Sequence, residues 1–153
     1  MKQIIIIEAG INFFTNASLN SLCAYLLNRN AAAVSCDLVD IIIDTCITCL
    51  FISLCTTPLS AAAAKRYIRS GALQKHMAGK RSILPHFPRK SLALALCFAF
   101  IVMLPLAPLL AVCFSISGIS VLSVAGFVLY KGVLGGIIGS CVCIAVLKRF
   151  LYE

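Results

Sequence analysis

The sequence predicts an all-α polytopic membrane protein: four transmembrane helices in an antiparallel bundle, with both termini on the cytoplasmic side. Three observations carry that expectation. Of 153 residues, 61% are hydrophobic and only 12% are charged, with a mean hydropathy of +1.05. That is too little charge for the polar shell of a soluble domain, and long apolar runs mark membrane chains. Apolar segments long enough to cross a bilayer recur four times. Finally, eight of the thirteen Lys and Arg residues fall between Lys65 and Lys90, the asymmetry expected of a cytoplasmic connector.

The whole chain, 1–153, reads as one membrane domain. The first span is expected at about 8–27, closing at the polar turn Asn28-Arg29-Asn30. Its start resembles a secretory leader, but Glu8 interrupts the apolar region and no small-x-small cleavage site follows, so it reads as a retained helix. The sequon Asn16-Ala17-Ser18 falls within that helix, out of reach of a glycosylation enzyme. The second span is expected at about 38–64, followed by the basic loop 65–90 with its breaker cluster Pro85–Pro88. The third covers about 91–114, where Pro105 and Pro108 predict a kink or a partly unwound stretch. The last covers about 121–147, after the turn Ser115–Ser120. Each is long enough for a hydrocarbon layer of about 30 Å at about 1.5 Å per residue.

Four spans put Lys2, the 65–90 loop and Lys148-Arg149 on one side, leaving only Arg29 on the other and Lys131 within a span. The expected home is a cell inner (plasma) membrane, crossed several times, with both termini cytoplasmic. Tyr25, Tyr67 and Tyr152 lie at or just past span ends, as interfacial anchors do. The basic loop lacks interleaved aromatics and nucleic-acid motifs, so anionic lipid headgroups are its expected partners and nucleic acid is not.

Nine cysteines raise the question of metals and disulfides. Nearly all lie inside apolar spans, where Cys behaves as a small hydrophobe. Cys46-x2-Cys49 is half of a zinc site with no second half, and His76 and His86 lie ten residues apart, off ligand spacing. No metal and no cofactor are expected.

The polar residues inside the spans carry the chemistry. Glu8, Asn12, Asn16 and Asn20 recur every four residues and form one slowly rotating stripe on a helix. Asp37, Asp40 and Asp44 form a second stripe, continued by Thr48. Two polar stripes on adjacent helices are expected to face each other or a shared cavity. Lys131 lies 17 residues before Lys148 and Asp44 lies 21 before Lys65, roughly 25 Å and 31 Å from the cytoplasmic ends of their helices. Both therefore belong to the outer half, and Asp44, with Asp40 as the lesser candidate, is expected to pair with Lys131. An unpaired charge at that depth costs about 2.5–3.5 kcal/mol on insertion scales. Glu8, nearer the cytoplasmic end, has Lys65, Arg66 or Lys148 as candidate counter-ions, and Asp37 is expected near the outer headgroups. In the last span, Gly132-x3-Gly136 and Gly135-x3-Gly139 form a close-packing face, expected to meet a helix of the same chain.

Asn12 and Asn16, Asp40 and Asp44, PHFPRKSL before the third span and GFVLYKGVLGG around Lys131 together resemble small four-helix bacterial membrane proteins of unassigned function. The resemblance implies an all-helical fold and a bacterial inner-membrane home, and brings no activity with it.

The surplus of membrane-proximal acids over the one intramembrane lysine points to a transporter or channel-like protein for a cation, proton or small polar solute. Four helices enclose little space, so a homo-oligomer belongs to that reading. The alternative is a non-transporting membrane subunit or assembly partner. An enzyme is not expected: Asp40-x3-Asp44 lacks the further motif residues of a Mg²⁺ site, and Cys97 with His86 lacks an orienting acid.

Overall fold

The computed structural model describes residues 2–72, 86–88 and 90–151. Most of the basic loop, including His76, and the anchor candidate Tyr152 lie outside the described residues. Four α-helices make up the rest: α1 (Lys2–Asn28), α2 (Leu38–Arg69), α3 (Ser91–Ser117) and α4 (Val124–Leu151). Three of them, α2, α3 and α4, are long and apolar enough to cross a membrane. The expected first span falls on α1, which is 27 residues long but gives up apolarity to Glu8, Asn12, Asn16 and Asn20.

The helices outrun the expected spans. α1 begins at Lys2 rather than at residue 8, and α2 continues past residue 64 through Lys65 and Arg66 to Arg69. Its last turn gathers Arg66 and Arg69, where cations meet the negative end of the helix dipole. Breakers do not interrupt the helices. α3 stays helical through Pro105 and Pro108, and α2 through Pro58, so the expected unwinding at Pro105–Pro108 is absent. Each proline removes one N–H but leaves the flanking ladder intact, and in a dry environment an unpaired backbone costs more than a helix with one bond missing. α3 ends where Gly118 adopts a left-handed conformation (φ 66°) and its N–H caps the Ser115 carbonyl, a turn that glycine takes without a Cβ penalty.

One non-helical element was not anticipated. Val34–Ser35 (β1) and Val121–Leu122 (β2) pair antiparallel, Val34 opposite Leu122 and Ser35 opposite Val121. Residues 121–122, expected at the start of the last helix, therefore form a clasp between the α1–α2 and α3–α4 connections. The Cys36 amide extends it by donating to the Ser120 carbonyl at 2.8 Å.

Contacts along the helices fix their order and directions. α1 packs along α4, while α2 lies against both α3 and α4. Ser140 Oγ donates to the Ala9 carbonyl (2.9 Å) near one end of the α1–α4 seam, and Ser21 Oγ to the Val128 carbonyl (3.2 Å) near the other, so the two helices run antiparallel. The core follows the same order. Cys49, Ile52 and Ala61 of α2 meet Leu94 and Phe98 of α3 and Leu134, Ile138, Val142 and Val146 of α4. α2 turns small hydroxyls inward, with Thr45, Ser53, Thr56, Thr57 and Ser60 all buried, which lets its backbone approach its neighbours closely. At the end of the bundle away from the clasp, Arg149 holds the start of α3 by donating from Nε (3.2 Å) and Nη2 (3.0 Å) to the Phe87 carbonyl.

Candidate functional site

The two polar stripes meet only in part. α1 turns Asn12 and Asn16 largely into the seam with α4, where Asn16 also reaches Thr56 of α2, and the stripes share a cavity only toward the clasp end, where Asn20 borders it together with Asp40, Asp44 and Thr48. Along α1, each asparagine amide donates back one turn: Asn12 Nδ2 to the Glu8 carbonyl (2.9 Å), Asn16 Nδ2 to the Asn12 carbonyl (2.9 Å) and Asn20 Nδ2 to the Asn16 carbonyl (2.8 Å). Folding back onto the helix lowers the cost of placing an amide among apolar neighbours. It also flattens the side chains, so that α4 can lie directly on them.

Glycines on α4 make that approach feasible. A Cβ at Gly135 would come within 2.6 Å of Asn20 Nδ2, one at Gly139 within 2.6 Å of Asn16 Cγ, and one at Gly136 within 2.8 Å of the Phe13 ring. Gly132 faces Ser21 and the Ala17 carbonyl. Asn12 Nδ2 also reaches Cys143 Sγ at 3.2 Å, and Asn16 exchanges hydrogen bonds with Thr56 of α2 at 3.3–3.4 Å. Asn16 is thus the point where α1, α4 and α2 converge.

Asp44 and Lys131 meet across the α2–α4 contact. Lys131 Nζ donates to Asp44 Oδ1 at 2.8 Å, to Oδ2 at 2.9 Å and to Thr48 Oγ1. Thr48 in turn donates to the Asp44 carbonyl at 2.7 Å. All three ammonium protons therefore have acceptors. The lysine side chain is 9% exposed and the aspartate 29%, so the pair presents its acidic side outward.

The other acids are spread along the chain. Asp40 is exposed and accepts from Ser35 Oγ at 2.5 Å; it does not reach Lys131. Asp37 is the exposed N-cap residue of α2, with extended backbone and no side-chain cap bond, and its amide donates weakly to Ser35 Oγ at 3.5 Å. Glu8 accepts from the Tyr67 hydroxyl at 2.6 Å. Among the described residues that hydrogen bond takes the place of the ion pair expected with Lys65, Arg66 or Lys148, and Lys65 lies instead over the Phe150 ring, 5.6 Å from its centroid. Tyr67, expected only as an interfacial anchor, thereby joins α2 to α1. Nothing in the sequence singles out that pairing, since residues 8 and 67 come together only through helix packing.

Because α1 leans on α4 rather than on α2, a groove of about 570 Å³ opens between α1 and α2 toward the clasp end. Asp44, Lys131 and Thr48 form part of its floor, Asn20 and Asp40 contribute further polar groups, and Leu19, Leu27, Ile47 and Phe51 form apolar walls. Among the described residues no three of His, Cys, Asp or Glu converge as a ligand set. The cysteines are free thiols, and Cys97 and His86 share no hydrogen bond there. No family model, curated protein or solved structure matches the chain.

Proposed function

We propose that the protein is a small inner-membrane transporter of a cation or small polar solute, in which the groove between α1 and α2 is a solute-binding site. In this reading α1 is a fourth crossing and the connector 65–90 and both termini face the cytoplasm, so the groove opens in the outer half of the bilayer. Two features support the fourth crossing: α1 matches α4 in length, and it lies along it in the opposite direction. The orientation rests on the basic residues at the end of the bundle away from the clasp.

One observation carries the reading. The Asp44–Lys131 pair lies on the floor of a groove with its carboxylate side partly open, instead of being sealed between helices. Full enclosure of an ion pair carries a desolvation cost that its attraction repays only with excellent geometry, so the open carboxylate side is not in itself a packing defect. An intramembrane acid bordering a cavity marks a solute or ion path.

Proteoliposomes test this. Flux of monovalent cations or small amines, driven by a concentration or pH gradient, is expected from the intact chain and is expected to fall at least tenfold in Asp44→Asn. Absence of flux under every gradient overturns it.

A second reading has its own support. The asparagine stripe is closely packed against glycines, and its amides are committed to carbonyls of their own helix. This favours a non-transporting subunit, and copurification of a stoichiometric partner protein would select it.

A further inference from the structure

We propose that the groove takes an organic cation: a single ammonium group on a compact apolar body, bound at Asp40 and the exposed side of Asp44, which it shares with Lys131. This specifies the ligand class for the solute-binding site proposed above and rests on that reading.

The hydrogen-bond inventory of the groove decides the sign of the ligand. Most of its donors already have protein acceptors: Lys131 on Asp44 and Thr48, Thr48 on the Asp44 carbonyl, Ser35 on Asp40, and one amide proton each of Asn20 and Asn28 on the Asn16 and Ala24 carbonyls. The acceptors are in surplus. Asp40 uses one carboxylate oxygen, Asp44 is partly exposed, and Asn20 lines the groove at 8% exposure with Oδ1 accepting no hydrogen bond among the described residues. Acceptor-rich, donor-poor surroundings recognise a donor, and an ammonium group is three donors with no acceptor.

Charge points the same way. Two carboxylates, one helical turn apart, share the groove with one lysine, so the site carries a net negative charge with Lys131 as its resident cation. A monovalent ammonium ligand completes the neutralisation. An anion would meet both carboxylates before reaching an ammonium whose protons are all engaged.

Size and lining specify the rest of the ligand. The volume falls within the range of about 300–1,000 Å³ typical of small-molecule pockets. Leu27, Ile47 and Phe51 form an apolar rim, which suits an aryl or short alkyl body.

The resident lysine supplies the test. If Lys131 competes with the ligand for Asp44, removing its charge should strengthen ligand binding even where it weakens the fold. Phenethylamine and its neutral counterpart phenethyl alcohol would be titrated into the detergent-purified full chain by calorimetry. Saturable binding of the amine, none of the alcohol, at least tenfold weaker amine binding in Asp44→Asn and about tenfold tighter binding in Lys131→Gln are expected. Asp40→Asn, at an exposed position outside the helix seams, is expected to weaken binding severalfold and keeps the test valid if Asp44→Asn fails to fold. No saturable amine binding to either the intact chain or Lys131→Gln overturns the proposal. So does equal binding of the alcohol, which would make the groove merely apolar, or a copurified phospholipid that the amine does not displace. Binding with no amine flux in proteoliposomes would leave this inference standing and overturn transport alone, whereas cation flux without amine binding would do the reverse.

Discussion

The ammonium of Lys131 is enclosed by α2 and α4, and its three contacts form a closed set with Asp44 and Thr48. Deleting one partner of such a pair leaves the other charge without compensation, at a cost of about 3–5 kcal/mol when the site is fully buried. Asp44 is partly exposed, so water or headgroups can reach it and the loss should be smaller. Asp44→Asn and Lys131→Gln are each expected to destabilise the protein by about 1–3 kcal/mol, with the double variant losing less than the sum of the two. Detergent-titration unfolding of the three variants measures this, and additivity would mean that the pair is not coupled. Lys131→Gln is the milder change, because glutamine can still donate to Asp44. The sequence made this pair legible: counting residues back from two helix ends placed both groups at similar depth, and the cost of an unpaired charge did the rest. It ranked Asp44 ahead of Asp40 by depth but kept both, since both lie on the same helical face. What separates them is Ser35, held by the β clasp within reach of Asp40.

At the scale of the helices, the α1–α4 seam depends on a match between folded-back asparagines and residues without side chains. Gly135→Ala would press a methyl group against Asn20, and Gly139→Ala against Asn16. Each is expected to cost about 1–3 kcal/mol through overpacking and to loosen α1. Gly10→Ala is the internal control: a Cβ there meets nothing within 4 Å, and alanine's better helix propensity should leave stability unchanged or raise it by up to about 1 kcal/mol. Thermal melts of the three proteins in the same detergent decide the matter, and equal melting temperatures would mean that the seam tolerates separation. Both halves of this seam were visible beforehand, as an i+4 asparagine ladder and as overlapping G-x3-G repeats. Their pairing was not, because periodicity defines a face without saying which neighbour it meets. Outside the groove bordered by Asn20 and the Asn16–Thr56 contact, the expected match of polar stripe with polar stripe gave way to close packing: amides that donate to their own helix no longer need a polar partner, and glycines give them the shortest approach. Tyr67 shows the same limit. Its position near a helix end suggested an anchor, yet the packing directs its hydroxyl to Glu8.

At the scale of the molecule, the four helix ends at Lys2, Arg69, Ser91 and Leu151 lie away from the clasp, and most of the basic residues of the helices lie near them. If the charges orient the chain as proposed, a green fluorescent protein fused at the C-terminus should fluoresce, while alkaline phosphatase inserted at Ala32 should be active. Activity of the phosphatase at the C-terminus would reverse the orientation, and with it the side from which the groove opens.

The sequence by itself determined the helical class, the number and approximate limits of the helices and the partner of Lys131. These follow from local apolarity, helical periodicity and the cost of an isolated charge in hydrocarbon, all of which act over a few residues or along one helix. Only the tertiary structure decided that α1 leans on α4 instead of α2, and therefore that a groove exists and that Asn20 and Asp44 border it. Which helices touch depends on how whole faces fit together, and that fit turned on the missing side chains of α4 as much as on the polar groups of α1 and α2.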